Sequence, residues 1–335
     1  MESIFVILGT LIGAGFASGK EIYIFFYKYG NVGIAGIILS SIVIGVIIYK
    51  SLIISNENKI ENYSQFLDIV FNYPITRKVF YYLINAFTLI TFFIMVAGFG
   101  AYFQEELKIS NIIGSSILAL ICYFIFSKGI NGVLKVNSII VPILILVILI
   151  LGFINIKEGN FEINTNQESP LWIISSLEYS GYNTILLIPV ILALNTYLRE
   201  KEIGNKKNLL ISIIVTNIII ILSIIVYLIL MKAVNNLNQM EMPVALVVSN
   251  MGTFFKMIYG VLILLSILTT SISLGESYLK NTKINYKWNS IFICILSVIV
   301  SNIGFSNLIN IAYPTFGILG AIQIFKILGE KSKKI

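Results

Sequence analysis

Histidine is absent from the chain. That removes the commonest metal ligand and the usual proton relay near neutral pH. Charge is scarce too: 12% of residues are Asp, Glu, Lys or Arg, against roughly 25% in an average soluble domain. There are two cysteines, Cys122 and Cys294, each inside an apolar run. They read as small buried hydrophobes rather than as a disulfide framework. No nucleophile–base or paired-acid motif is recognisable, so the chain is not expected to be an enzyme.

Apolar residues are what the chain has in quantity. They make up 57% of the 335 residues, and the mean hydropathy is +0.93. A spanning helix takes roughly 20 apolar residues, so ten would use about 200 positions and leave only short loops. The hydropathy pattern predicts an all-α membrane protein with about ten spans, at 3–28, 32–54, 78–104, 110–127, 135–155, 170–197, 208–232, 251–280, 288–303 and 305–328. Two further segments, 61–73 and 239–250, read as interfacial helices or gating elements.

A net charge of +7 would also fit a nucleic-acid binder, but the basic residues are distributed as topology signals. With the N-terminus inside, 17 of the 23 basic residues fall on inner loops or at the C-terminal end, among them Lys50, Arg77, Lys78, Lys206, Lys207, Lys280 and Lys283. That asymmetry predicts cytoplasmic N- and C-termini, with a bilayer and not a nucleic acid as partner. The start Met1-Glu2 is acidic and the apolar run continues past "FASG", so a cleaved signal peptide is not expected.

Five spans lie within 1–155 and five within 170–328, followed by a tail at 329–335. Five per half makes the halves inverted in the membrane. Many secondary transporters of that build hold their substrate at helices broken in corresponding positions. The first span reads "LIGAGFASGKEI" (11–22), with Gly9, Gly13, Gly15 and Gly19 in and around it; the sixth reads "EYSGYN" (178–183), centred on Gly181. Glycines at every fourth position also serve helix packing, but their coincidence in the first span of each half predicts a break in both. A half-helix N-terminus suits a carboxylate, and unwound carbonyls suit a cation or an ammonium. Together they match a small zwitterion.

"IGAGF" (12–16) resembles the first-helix signature of the amino acid–polyamine–organocation superfamily, whose fold is the LeuT-type 5+5 inverted repeat. "YSGY" (179–182) resembles its aromatic-x-Gly-aromatic break. The longer "GTLIGAGFASGKE" (9–21), taken with "YSGYN", is most similar to the YkvI-type bacterial membrane proteins, apart from Lys20, where that pattern has glutamine. The resemblance implies a carboxylate bound by backbone at Gly13, Ala14 and Gly15, and an amine bound by carbonyls near Ile12, Tyr179 and Ser180. Phe16, Tyr23, Tyr179 and Tyr182 would wall or gate the site, with Asn85, Thr88, Tyr313 and Pro314 as weaker pocket candidates.

Two coupling ions stay open. In the eighth span, "SILTTSISLGES" (266–277), Ser266, Thr269, Thr270 and Ser273 share a helix face. The resemblance implies Na⁺ between Gly13 and a hydroxyl pair, either Thr269 with Thr270 or Thr270 with Ser271. The rival is a proton on Glu21, Glu178 or Glu276, since carboxyls within spans are costly and therefore functional candidates. Lys20 has three readings: it pairs with Glu178 or Glu276, its ammonium replaces the sodium ion, or it snorkels. The expectation is a cation-coupled transporter of a small amino acid or amine in a bacterial plasma membrane, with a ligand sensor on the same fold as the alternative.

Overall fold

The computed structural model describes residues 2–60, 62–157, 169–200, 204–231, 243–303 and 305–330. Among them are helices joined by short turns, with no strand. The first span is not one helix but three. α1 (Glu2–Leu11) stops before Gly13, α2 (Ala14–Ala17) makes a single turn, and α3 (Lys20–Phe25) follows. Gly19 enters α3 at φ +79°, in the left-handed region that favours glycine.

The later elements are α4 (Val32–Glu57), α5 (Tyr63–Val70), α6 (Pro74–Glu105), α7 (Asn111–Phe126), α8 (Gly129–Lys157), α9 (Trp172–Glu200), α10 (Asn205–Leu230), α11 (Pro243–Asn250), α12 (Thr253–Asn281), α13 (Tyr286–Val300) and α14 (Phe305–Gly329). Among the described residues, seven helices are long and apolar enough to cross a membrane: α4, α6, α8, α9, α10, α12 and α13. α1, α7 and the second half of α14 are shorter and apolar. All ten expected spans coincide with these elements. Large apolar side chains such as Leu120, Phe124, Phe153, Phe292 and Ile299 are exposed, as suits surfaces solvated by lipid.

The short helices recur in step. α5 lies between the second and third spans and α11 between the seventh and eighth, the same place in each set of five. α5 is capped by Asn62, whose side chain accepts from the Gln65 N–H at 3.1 Å. It buries Tyr63, Phe66, Leu67 and Val70, the i, i+3, i+4, i+7 face of an amphipathic helix.

The expected break in the sixth span is not there. α9 runs unbroken through Tyr179, Ser180, Gly181 and Tyr182. Ser180 and Asn183 bond within the helix or to a neighbour. The Ser180 hydroxyl reaches the Ser176 carbonyl at 2.7 Å and the Ser40 carbonyl on α4 at 3.3 Å, and the Asn183 amide donates to the Tyr179 carbonyl at 2.9 Å. Gly181 serves packing. A Cβ there would sit 2.5 Å from the Gly317 carbonyl oxygen and 2.9 Å from the Ala321 nitrogen, both backbone atoms of α14. Small residues let helix backbones approach this closely. α9 does lose a backbone donor at Pro189, two turns further on.

Two lysines tie helices together on the face assigned to the inside. The Lys50 ammonium of α4 donates to the Leu328 carbonyl at 2.6 Å, with the Glu330 carbonyl at 3.3 Å. Lys280 of α12 donates to the Ala193 carbonyl of α9 at 3.2 Å.

Because α14 has no room beside Gly181, Gly181→Ala is expected to destabilise the folded protein by about 1–3 kcal/mol, the usual cost of overpacking. Thermal unfolding of purified protein measures this. An unchanged melting temperature would mean that the α9–α14 contact is looser than described.

Candidate functional site

The helical ladder of α1 ends where α12 meets it. The Thr270 hydroxyl donates to the Gly9 carbonyl at 2.8 Å, and a Cβ on Gly13 would lie 3.3 Å from Thr270 Oγ1. A carbonyl in the last turn of α1 thus takes a side-chain donor, as helix ends require. Beyond the gap, the Ala17 N–H bonds the Gly13 carbonyl at 2.9 Å, which closes the single turn of α2.

A small enclosed cavity of about 10 Å³ lies against this gap, lined by Thr10, Leu11, Gly13, Glu21, Thr91, Met95, Tyr182, Asn183, Leu186 and Thr270. That is room for about one water. α1, the gap, α3, α6, α9 and α12 all contribute. Glu21 is 3% exposed, and its Oε1 accepts from the Tyr182 hydroxyl at 3.5 Å. The Tyr182 ring stacks on Phe316 at 6.1 Å between centroids, and Phe316 meets Phe87 edge-on at 4.4 Å.

The expected site residues therefore divide. Gly13, Glu21, Tyr182 and Thr270 come together, flanked in sequence by the buried Ile12, Ala14, Gly15 and Phe16 of the gap and α2. Of the eighth-span hydroxyls, Thr270 faces the gap. Thr269 donates to Ser266 and Ser271 to Ile267, both carbonyls of their own helix. Tyr179 packs between the Phe25 and Phe26 rings, and Ser180 bonds toward α4; neither lines the cavity. Asn85 lines a different cavity, and the Thr88 hydroxyl is taken by the Ile84 carbonyl. The side chains of Tyr313 and Pro314 lie outside the described residues.

The other two carboxyls are elsewhere. Glu178 is exposed, near Gly317 of α14. Glu276 is buried and accepts from the Tyr286 hydroxyl, which also bonds the Phe126 carbonyl at 2.9 Å. Tyr259 of α12 sits level with Ala17, and Glu276 lies 17 residues further along α12, roughly 25 Å away at helical rise. A pairing of Lys20 on α3 with Glu276 is thereby excluded. Lys20 itself is half-buried.

Both ends of the site are covered. On one side the Val244 N–H of α11 donates to the Ser18 carbonyl at 3.0 Å, and Val244 packs where a Gly19 Cβ would be. On the other, Asn281 joins four helices. Its Oδ1 accepts from the Tyr63 N–H of α5 at 2.9 Å, its Nδ2 donates to the Pro189 carbonyl of α9 at 3.3 Å, and its own carbonyl accepts from the Tyr81 hydroxyl of α6 at 2.8 Å. Gln323 of α14 adds a bond to the Tyr63 hydroxyl at 2.9 Å. Burial pushes the Tyr63 pKa well up, with the Gln323 bond opposing it, so this hydroxyl stays neutral. Sequence reading missed Asn281; its one signal was a lone amide at the end of an apolar span.

Comparison with known proteins agrees with this architecture. No family model matches the chain. It is 28% identical to the uncharacterized membrane protein YkvI of Bacillus subtilis (strain 168), across 98% of this chain and 95% of that protein. It is 26% identical to the uncharacterized protein YyaD of the same organism, across 98% and 96%. Among solved structures, Mhp1, a nucleobase-cation-symport-1 family transporter in a closed conformation with bromovinylhydantoin bound, superposes with a TM-score of 0.66 at 13% identity, covering 100% of this chain and 78% of that one. A mutant of the Eremococcus coleocola manganese transporter superposes with a TM-score of 0.61 at 13% identity, covering 97% and 75%. The chain has the all-α fold of these transporters and is similar over nearly its whole length to the two Bacillus proteins.

Proposed function

We propose that the protein is a secondary transporter that moves a small amine or amino acid by alternating access, driven by a cation. One observation carries this reading: the gap in the first span, Glu21 and Thr270 meet at an enclosed cavity covered by α11 on one side and α5 on the other. Unwound backbone at membrane depth is tolerated only where it is buried in protein or lines a cavity. The transporter fold of the structural neighbours supports the reading.

The chemistry follows from the lining. Among the described residues no three His, Cys, Asp or Glu side chains converge. The cavity offers hydroxyls, backbone oxygens, an amide and one carboxyl, a set suited to an ammonium group or a monovalent cation. The backbone N–H groups at the start of α2, around Ala14 and Gly15, would hold a substrate carboxylate. Glu21 is the proposed partner of the amine or carrier of a coupling proton. The Gly9 carbonyl and the Thr270 hydroxyl form the proposed edge of a sodium site. With room for about one water, the cavity represents a closed conformation, and a lid must move before an amino acid enters. The proposed setting is a bacterial plasma membrane with both termini cytoplasmic.

Purified protein in liposomes, offered labelled amino acids and amines under Na⁺ or pH gradients, tests this. Concentrative uptake is expected, and Glu21→Gln should lower it at least tenfold. Thr270→Ala should remove any Na⁺-driven part, and Thr269→Ala should spare it. Ligand-induced thermal stabilisation without uptake would replace transport by sensing. Neither uptake nor stabilisation by any such ligand would overturn the site.

Asn281→Ala is expected to loosen the inner lid. A Thr91→Cys reporter should then react at least several-fold faster with a small thiol reagent added from the inner side, against a low background because Cys122 and Cys294 are buried. An unchanged rate would mean that α5 does not cover the path.

A further inference from the structure

A second and larger cavity opens on the face that carries the inner-loop lysines. It measures about 680 Å³, well within the range of small-molecule sites. It lies between α5, the start of α6, and the end of α12 with the turn after it. It is not the mouth of the central cavity. α6 turns Lys78, Tyr82, Asn85 and Leu89 toward it and turns Thr91 and Met95 toward the centre. At about 100° per residue these two sets lie roughly a third of a turn apart.

The charges around the cavity do not balance. Its described lining holds Arg77, Lys78 and Lys283 against one carboxylate, Asp68. Arg77 is already engaged: its guanidinium donates to the Phe71 carbonyl at 2.6 Å and the Asn72 carbonyl at 3.2 Å, and pairs with Asp68 at 3.4 Å. This knot holds the corner between α5 and α6 and offsets the carboxylate. Lys78 and Lys283 are exposed and leave the cavity positive. The hydroxyls of Ser64 and Thr282 also line it. Apolar and aromatic surface accompanies the cations: Tyr82 and Ile284 line the cavity and are 62% and 57% exposed, and Ile75, which follows the lining residue Pro74, is 80% exposed.

Cations and hydroxyls beside exposed aliphatic and aromatic side chains, at the end of membrane spans, match a phosphate that comes with acyl chains. A free phosphate would use the lysines and leave Ile75 and Ile284 without a partner. We propose that this cavity binds the headgroup of an anionic phospholipid, with Lys78 and Lys283 on its phosphate and the chains lying along the Ile75 and Ile284 side. Basic pockets between spans on the inner side take lipid headgroups in this way. Lys78 belongs to α6 and Lys283 follows α12, so one headgroup would bridge the two helices beside the α5 lid. The assignment is independent of the central site, since the two cavities share no lining residue.

Native mass spectrometry of the full chain, titrated with phosphatidylglycerol or phosphatidylcholine, tests it. One phosphatidylglycerol should be retained in preference to phosphatidylcholine. Lys78→Gln with Lys283→Gln should weaken its binding roughly thirtyfold, and Lys283→Gln alone roughly fivefold, which serves if the double variant folds poorly. A control with Lys206→Gln and Lys207→Gln, exposed on α10, should bind as the unaltered protein does. Equal affinity in the Lys78/Lys283 variants would place the lipid elsewhere and overturn the proposal. Displacement of the lipid by millimolar inorganic phosphate would overturn it in favour of a soluble anion.

Discussion

A backbone carbonyl inside a bilayer has no water to turn to, and the rest of this structure answers to that constraint. The first span gives up its helical ladder at Gly13, and α12 supplies a replacement donor through Thr270. α6 and α9 close around the gap and keep it from lipid. The continuity of α9 follows from the same demand. A second interruption facing the first would double the number of orphaned groups, whereas an intact α9 presents a solid wall bearing Tyr182 and Asn183. The asymmetry between the halves is the arrangement with fewer unsatisfied groups.

Hydropathy alone located every described span and both short helices, because the membrane imposes length and apolarity on each segment separately. The gap at Gly13 was legible in the crowding of glycines and polar residues in the first span of a five-plus-five pattern. The same logic failed at Gly181. A glycine that breaks a helix and a glycine that admits a neighbouring helix look identical in sequence, and the deciding residues, Gly317 and Gly320, come more than a hundred positions later. Rotational phase was equally hidden. Thr269 and Thr270 differ by about 100° around α12, and only packing against α1 selects Thr270. Period alone likewise does not say that Glu178 is exposed while Glu21 is buried. Asn281 escaped notice because its partners lie on α5, α6 and α9, and no local pattern announces a four-helix joint.

The fold and the cargo are separate questions here. Two solved neighbours share the scaffold, yet one was captured with a hydantoin and the other is a manganese transporter. What discriminates is the handful of side chains at the gap. In this chain the polar ones are threonines, one asparagine, a tyrosine and a single glutamate, beside Met95.

Lys50 and Lys280 show an economy in how the chain uses positive charge. Both count among the residues expected to mark the inner face, and each donates to a backbone carbonyl of another helix. A helix C-terminus is a partial negative charge that no titration removes. The Lys50 tie, made at the C-terminal end of α14, therefore does not depend on a carboxylate staying ionised. A residue that reads as a topology signal in the sequence also serves as a fastening in the folded protein. Its loss would confuse a topology defect with a stability defect unless the two were measured apart.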